Sequence, residues 1–356
     1  MNDLRKPFRR QPSAIKWMIL IFLSGTFAGV LQTLHVPATL LLGPMFAAIL
    51  VAVNGVTLQL PRSTFLGAQG IIGCMIAHGA SHPIGSAMFS RWPLLLATVL
   101  AIIATSSVLG WLLARQGVLP GAVAVWGSSP GAANAMMLMA DAYGADIRLV
   151  AFMQYLRLVV VTLVASILAC VFVSQGQLAG NNWFPAISWS ALLATLALIT
   201  SGVAAGRALK IPAGPLLLPM ALAAVLQSSG LMQIELPPWL LAFSYASLGW
   251  HIGLSFSLAT LTHAARAFPK ILALIFAQLL ICGGFGMLLT TFAGVDALTA
   301  FLATSPGGAD SIAIIAASAN VDLGFVMAMQ TLRLVLVILI SPALCRVIVR
   351  HLESGK

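Results

Sequence analysis

Two stretches of the chain, 176 residues apart, repeat the same unusual combination of residues. The first is SPGAANAMMLMADAYGADIRLVAFMQYLRLV over residues 129–159, and the second is SPGGADSIAIIAASANVDLGFVMAMQTLRLV over residues 305–335. Other landmarks keep nearly the same offset, because Pro44 matches Pro219 and Gly110 matches Gly286. Similarity caused by apolar composition alone would scatter these residues. The chain is therefore predicted to contain two copies of one structural repeat.

The segments around these landmarks are long and apolar. Of the residues, 60% are hydrophobic and only 7% are charged, whereas a soluble domain carries about 25% charged residues. Twelve apolar segments approach the length needed to cross a hydrocarbon core of about 30 Å. The net charge of +10 lies in short clusters between these segments, as in the cytoplasmic loops of membrane proteins. We predict an all-α polytopic membrane protein that does not bind nucleic acid.

The number of crossings decides whether the two halves are parallel or inverted. If all twelve segments cross, ten of the 18 Lys and Arg residues are cytoplasmic and six are outside. If the Ser-Pro-Gly segment of each half enters and returns on one side, fifteen are cytoplasmic and only Arg91 is outside; Arg157 and Arg333 are intramembrane in both arrangements. The excess of cytoplasmic positive charge favours the second arrangement. We predict two inverted repeats with about ten transmembrane helices and two re-entrant, broken Ser-Pro-Gly hairpins.

This topology divides the chain into five parts. The basic N-terminus precedes an apolar run without a small-residue cleavage site, so it is predicted to stay uncleaved and cytoplasmic. The predicted location is the bacterial inner membrane, with both termini in the cytoplasm. The parts are the N-terminus (1–16), the first repeat (17–175), a periplasmic loop (176–187), the second repeat (188–346) and the C-terminus (347–356).

Each predicted hairpin brings polar residues to the middle of the membrane. A half-helix of ten residues spans about 15 Å, so the turn lies near the midplane, where irregular backbone must be buried or line a cavity. We expect the serine to N-cap the second half-helix and the proline to occupy its first position. A Gln lies one helical turn before an Arg in each following segment. The candidate substrate-binding residues are Ser129, Pro130, Gly131, Asn134, Gln154 and Arg157 in the first repeat, and Ser305, Pro306, Gly307, Asp310, Gln330 and Arg333 in the second.

These residues predict an electropositive centre. Two helix N-termini add to the charges of Arg157 and Arg333, and only Asp310, the counterpart of Asn134, offsets them. An anionic or carbonyl-rich substrate is therefore favoured, and the difference between Asn134 and Asp310 indicates that one half handles a cation or proton. Two roles of the arginines stay open. They either only hold the hairpin tips through backbone carbonyls, or hold the tips and also contact the substrate.

Three stretches of the chain resemble the bacterial AbrB membrane protein family: WGSSPGAANAMMLMADAYGADIRLVAFMQYLR, LATSPGGADSIAIIAASANVDLGFVMAMQTLRL and LLGPM. The resemblance extends over nearly the whole chain after the basic N-terminus. It implies a duplicated membrane domain and an inner-membrane location. Members of the family have been labelled as transport proteins, as ammonia monooxygenases and as regulators of gene expression, so the resemblance implies no particular activity and no catalytic residue.

The leading hypothesis for function is a secondary transporter of a small anionic metabolite that works by alternating access, because paired broken segments with intramembrane charge are typical of such carriers. The alternative is a membrane protein with a regulatory effect on gene expression, exerted directly or through a transported metabolite. A monooxygenase would need a metal cluster, which the scattered histidines do not provide, so we expect no enzyme, metal or cofactor. The expected partners are the lipid bilayer and a small-molecule substrate, and a homo-oligomer stays an open alternative.

Overall fold

The regular structure of the chain is entirely helical in the part described by the computed structural model. That part comprises residues 12–34, 36, 38–56, 58–79, 92–117, 119–131, 133–142, 144–172, 187–209, 213–256, 265, 267–319 and 321–354. The predictions for residues 1–11, for nearly all of the loop at 176–187 and for the last two residues fall outside it. The predicted all-α, membrane-type character of the chain is confirmed for this part.

The helices follow one order in both halves of the chain. The first half contains α1 (Ser13–Thr33), α2 (Thr39–Val53), α3 (Arg62–Gly79), α4 (Trp92–Arg115), α5 (Gly121–Ser128), α6 (Ala133–Ala142) and α7 (Ile147–Phe172). The second half contains α8 (Trp189–Ala208), α9 (Gly214–Ser228), α10 (Pro238–Leu254), α11 (Phe268–Ala293), α12 (Ala297–Thr304), α13 (Ala309–Ala317) and α14 (Leu323–Ser354). Long helices in one half correspond to long helices in the other, and the two short pairs also correspond.

Six of these helices are long and apolar enough to cross a membrane, namely α1, α4, α7, α8, α11 and α14. The helices α2, α3, α9 and α10 are shorter, with 15 to 18 residues each. At 1.5 Å per residue, these four helices reach about 22–27 Å, slightly less than a typical hydrocarbon core. The predicted count of ten crossings and the inversion of the repeats stay predictions.

Large apolar side chains lie on the outside of the long helices. Phe22 on α1 is 74% exposed, Trp189 on α8 is 70% exposed and Leu280 on α11 is 76% exposed. A protein in water rarely exposes so much apolar surface on several helices, whereas lipid tails are as apolar as these side chains. The surface of the described helices is therefore that of a membrane protein.

The helices form two compact units, and each unit takes helices from both halves. Unit 1 comprises residues 1–83, 166–258 and 313–324, and unit 2 comprises residues 84–165, 259–312 and 325–356. Unit 1 thus contains α1–α3 with α8–α10, while unit 2 contains the short helices α5, α6 and α12 and most of the long helices α7 and α14. The Ser-Pro-Gly motifs and both intramembrane arginines belong to unit 2.

Unit 1 is held together by two reciprocal helix contacts at glycines. A Cβ atom at Gly73 on α3 would lie closer than 3.0 Å to the carbonyl oxygen of Leu216 on α9. At the equivalent position on α10, a Cβ atom at Gly249 would lie 2.5 Å from the carbonyl oxygen of Leu41 on α2. Only glycine lets backbones approach this closely, as in other packed membrane helices. The two halves therefore pack on each other through matching surfaces.

The starts of α2 and α9 share a strained backbone conformation. The N-cap residues Ala38 and Ala213 have φ angles of 57° and 54°, in the left-handed region. For a residue with a Cβ atom, this conformation costs roughly 1–2 kcal/mol. The recurrence of this conformation at equivalent positions agrees with the duplication predicted from the sequence.

Candidate functional site

Both Ser-Pro-Gly motifs interrupt a helix in unit 2. The helix α5 ends at Ser128 and α6 begins at Ala133, while α12 ends at Thr304 and α13 begins at Ala309. We call residues 129–131 tip 1 and residues 305–308 tip 2. The positions of both breaks agree with the prediction from the sequence, whereas the re-entrant course of the two pairs stays a prediction.

The predicted capping role of the two serines is wrong. Ser129 and Ser305 are the C-caps of α5 and α12, and the helices α6 and α13 begin four residues later. Each serine hydroxyl donates back to its own preceding helix, Ser129 to the Val125 carbonyl at 2.8 Å and Ser305 to the Leu302 carbonyl at 3.1 Å. The following proline explains the difference, because it disfavours helical backbone at the residue before it. Both serines accordingly have extended backbone, with ψ of 124° and 138°.

Tip 1 is held by a Gln–Arg pair on α7. Arg157 donates from Nη1 to the carbonyl oxygens of Ser129 at 2.8 Å and Ser128 at 3.3 Å. Gln154 donates from Nε2 to the carbonyl oxygens of Trp126 at 2.8 Å and Ser129 at 3.1 Å. The Oε1 atom of Gln154 accepts a bond from Nη2 of Arg157. The pair thus satisfies the carbonyls that α5 leaves unbonded at its C-terminus.

Tip 2 is held in the same way by a Gln–Arg pair on α14. Arg333 donates from Nη1 to the Ser305 carbonyl and from Nη2 to the Gly307 carbonyl at 2.9 Å. Gln330 donates from Nε2 to the carbonyl oxygens of Leu302 at 2.8 Å and Ser305 at 3.3 Å, and its Oε1 atom accepts from Nη2 of Arg333. The structure therefore brings both predicted Gln–Arg pairs to their tips.

Each tip also packs against the long helix of the other half. A Cβ atom at Gly131 in tip 1 would lie 3.0 Å from Cγ1 of Val337 on α14, and one at Gly307 in tip 2 would lie 3.1 Å from Cγ1 of Val161 on α7. Each valine follows the arginine of its own helix by four residues, which is about one turn. Each tip therefore lies against both long helices, bonded to the arginine of one and close to a valine about one turn after the arginine of the other.

The two guanidinium groups form a buried positive centre. Arg157 and Arg333 are each only 4% exposed, and their hydrogen-bond partners in the described part of the chain are neutral carbonyl and amide oxygens. The Nε–H group of each arginine is buried and has no hydrogen-bond partner within the described ranges. Two charged donors are therefore left unbonded there.

The remaining predicted site residues lie in or next to the tips. Pro130 and Pro306 are buried. Asn134 and Asp310 are the second residues of α6 and α13, at equivalent positions. The side chain of Asn134 lies outside the described part of the structure. Asp310 is partly exposed in the first turn of α13, where a carboxylate is favoured by the helix dipole.

The sequence reasoning missed a polar pair beside tip 1. Gln278 on α11 is 1% exposed and donates from Nε2 to Oγ of Ser106 on α4 at 2.6 Å, and more weakly to the Ser128 carbonyl at 3.4 Å. A glutamine in the middle of the apolar stretch IFAQLL is itself a signal, because polar residues inside membrane helices are costly and are often functional. The signal is absent from the comparison of the two repeats because residue 102, the counterpart of Gln278, is an isoleucine.

The described residues contain no group of three His, Cys, Asp or Glu side chains that could hold a metal ion. In those residues, the chemistry of the site comes from guanidinium, amide, hydroxyl and backbone groups. Guanidinium groups are donors for charge-assisted hydrogen bonds to anions.

Comparisons with known proteins agree with the resemblance noted in the sequence. The family model described as "Transition state regulatory protein AbrB" matches residues 40–349. The chain is 48% identical over 337 residues to the protein named "Putative regulator AbrB" from Escherichia coli (strain K12), and the alignment covers 94% of this chain and 97% of that protein. The match extends over both Ser-Pro-Gly motifs and both Gln–Arg pairs. With this coverage and this identity, the chain belongs to the AbrB family.

Proposed function

We propose that this chain is a secondary carrier for a small organic anion, and that Arg157 and Arg333 bind the anion between the two tips. The observation that supports this function best is the pair of buried guanidinium groups, whose hydrogen-bond partners among the described residues are neutral. The proposed setting is the bacterial inner membrane, with cytoplasmic termini, two inverted repeats, ten crossings and two re-entrant hairpins. No enzymatic step, metal or cofactor is part of the proposal.

Charge balance favours an anion as the ligand. A charged side chain in the middle of a membrane helix costs at least about 2.5–3.5 kcal/mol, and two like charges in proximity add repulsion in a medium of low dielectric. The carbonyl oxygens of the tips lower this cost but carry no full negative charge. A bound carboxylate would offset one of the two positive charges, a dicarboxylate both, and its oxygens would accept hydrogen bonds from the two Nε–H groups that have no partner among the described residues.

The arrangement also favours a carrier over a permanently occupied anion site. Broken helices whose ends meet near the midplane are the usual way in which carriers build a central site from two repeats. In this protein each broken pair is short, with helices of 8 to 10 residues, so small displacements of the tips would expose the arginines to one side or the other. The difference between Asn134 and Asp310 then provides one half with a carboxylate for a coupling proton or cation.

The direct test is counterflow in proteoliposomes. The purified chain is reconstituted, the vesicles are loaded with an unlabelled organic acid of two to six carbons, and the same acid is added outside with a radioactive label. We expect at least one acid in the series to accumulate transiently above its equilibrium level, because a carrier exchanges its substrate while a channel only equilibrates it. Absence of accumulation for the whole series, with folded protein in the vesicles, would contradict the carrier function.

The proposed inversion of the repeats predicts the side on which the loop between them lies. A single cysteine is placed at Gln177, in a background in which Cys74, Cys170, Cys282 and Cys345 are replaced by serine. We expect a membrane-impermeant thiol reagent to label this cysteine in intact cells, because the loop is periplasmic if each hairpin returns to its own side. A cysteine at Gln116, in a loop that is cytoplasmic in both arrangements, is the matched control and should react only after permeabilisation. Labelling of both positions only after permeabilisation would show that the repeats are parallel.

A regulatory role is the second candidate, favoured by the names of the matching family and of the relative from Escherichia coli. We propose that any effect on gene expression follows from the level of the transported metabolite. Variants that lose counterflow should then change expression of the same genes as a deletion of the whole chain. A variant that has no counterflow but leaves expression unchanged would separate the two functions and favour a direct role.

A further inference from the structure

The groups without hydrogen-bond partners in unit 2 describe the ligand in more detail than its charge alone. Among the described residues, the buried side-chain atoms in this state include Nε of Arg157, Nε of Arg333 and Oε1 of Gln278. A buried polar group without a partner costs roughly 1–3 kcal/mol. Each of these atoms therefore favours a ligand that supplies the missing hydrogen bond. Two of them are cationic donors, and the third is a neutral acceptor.

The orientation of the Gln278 amide follows from its neighbours. The hydroxyl of Ser106 donates to the Ile102 carbonyl at 2.8 Å, so its oxygen is left to accept a bond from the Gln278 side chain. The Ser128 carbonyl can only accept as well. The NH₂ group of Gln278 must therefore face Ser106 and Ser128, and the Oε1 atom points away from both. Reversal of the amide would place the Oε1 atom of Gln278 against the Ser106 oxygen and the Ser128 carbonyl oxygen, neither of which has a proton to donate to it.

Gln278 belongs to the same site as Arg157. The Ser128 carbonyl accepts from Nη1 of Arg157 at 3.3 Å and from Nε2 of Gln278 at 3.4 Å, so one oxygen atom links the two side chains. Gln278 itself is only 1% exposed. The face of α11 that carries Gln278 is thus the face next to tip 1 and Arg157.

The neutral acceptor also distinguishes the two halves of the site. Its counterpart in the first repeat is Ile102, whose side chain has no atom that accepts a hydrogen bond. A ligand that satisfies all three groups is therefore not symmetric. It presents carboxylate oxygens to the two arginines and one donor to Gln278. A charged ammonium donor would be repelled by the two guanidinium groups, whereas a hydroxyl would not.

We infer that the substrate is a hydroxy acid, a carboxylate that carries a hydroxyl group, and that the Oε1 atom of Gln278 accepts the hydroxyl proton. This inference rests on the proposed function, since it assigns the chemical class of the anion bound by Arg157 and Arg333. Gln278 is then a residue that determines specificity. The arginines supply the affinity for any small organic anion of suitable size.

The experiment compares matched acids on the purified full-length protein in detergent. The pairs are lactate with propionate, malate with succinate and 2-hydroxyglutarate with glutarate, and the apparent Kd of each acid comes from the rise of the unfolding temperature with concentration. In at least one pair we expect the hydroxy acid to bind about tenfold more tightly or better, as one added hydrogen bond to a buried acceptor allows. The members of a pair differ by one oxygen atom, so a preference for charge or length does not produce this result.

Two variants of Gln278 show whether this residue makes the distinction. Gln278→Ile introduces the residue found at the equivalent position 102, and Gln278→Met keeps nearly the original shape if the isoleucine variant does not fold. We expect the two acids of the pair to bind within about twofold of each other in either variant. Gln227→Met, which replaces another glutamine with an unbonded Oε1 atom but in unit 1, should keep the preference of the natural protein.

The outcomes separate this inference from the proposed function. If acids bind but hydroxyl and unsubstituted members of every pair bind equally, or if the preference survives in both Gln278 variants, the inference is overturned and the anion site stands. If no acid changes the unfolding temperature and no acid gives counterflow, both are overturned together.

Discussion

Replacement of Arg333 by alanine is expected to abolish anion counterflow and the stabilisation of the purified protein by organic acids. The variant removes one of the two positive charges of the centre and the Nε–H group that is left for the ligand. Loss of one partner from a buried, hydrogen-bonded charge pair costs roughly 2–5 kcal/mol, which is at least about thirtyfold in affinity. Arg157→Ala should have the same effect, because its contacts are equivalent. The rise of the unfolding temperature with acid concentration measures the loss.

The same substitution also removes support from tip 2, and a second variant separates the two effects. Gln330→Ala removes the bonds to the carbonyls of Leu302 and Ser305 but keeps the charge of Arg333. We expect it to lower the unfolding temperature while acids still raise that temperature. Arg346→Ala is the control for residue type, since Arg346 lies in the exposed last part of α14 and bonds only the Pro342 carbonyl among the described residues. It should keep both stability and binding.

These variants decide between the two roles that the sequence leaves open for the arginines. If Arg157→Ala and Arg333→Ala fold and acids still stabilise them as they stabilise the natural protein, the arginines only hold the tips. If the arginine variants lose the response to acids and Gln330→Ala keeps it, the arginines both hold the tips and contact the ligand. Arg333→Lys is a further comparison for acid binding. Lysine keeps the positive charge but cannot bond both tip carbonyls with a planar fork.

Gly73→Ala and Gly249→Ala are each expected to destabilise the protein strongly, although the change adds a single methyl group. In both cases the added Cβ atom would meet a backbone carbonyl oxygen of the facing helix at less than 3.0 Å. A backbone atom cannot rotate away as a side chain can, so α3 would have to move from α9, or α10 from α2. Overpacking of this kind costs typically 1–3 kcal/mol and occasionally more, and we expect values of about 3 kcal/mol. Unfolding in a mixed-detergent titration measures the difference.

For Gly73→Ala, another glycine on α3 provides a control in which alanine is expected to raise the stability. A Cβ atom at Gly67 on α3 would have no neighbour within 4 Å, so Gly67→Ala adds helix propensity without a clash. A gain of about 0.5–1 kcal/mol is expected. If Gly73→Ala and Gly67→Ala changed stability by equal amounts, the close approach of α3 and α9 would not be a determinant of the fold.

Much of the site could be predicted because its residues are unusual in a membrane segment. Ser-Pro-Gly in an apolar stretch is typical of a break in a helix, and a buried arginine needs acceptors, so the combination predicts that Arg157 and Arg333 lie near broken backbone. The structure shows these contacts. The repeat strengthens the prediction, since each feature occurs twice at one offset.

Other features depend on atoms that a sequence pattern does not contain. The serine of Ser-Pro-Gly is suited to either end of a helix, and the conformation imposed by Pro130 decides that Ser129 bonds backwards to Val125. The role of Gln278 depends on which helix lies beside tip 1, and that neighbour comes from the other half of the chain. Comparison of the repeats reveals what the halves share and conceals where they differ, as at Ile102 and Gln278.

The contact of each tip with the opposite half has an evolutionary consequence. Because Gly131 rests on Val337 and Gly307 rests on Val161, neither copy of the repeat can complete its own tip, and damage in one copy is not rescued by the other. Selection therefore acts on both copies at every position that supports a tip, and the motif persists twice. Where a contact is needed once only, as at Gln278, the two copies are free to diverge, and an ancestral symmetric site can acquire specificity by a single substitution in one half.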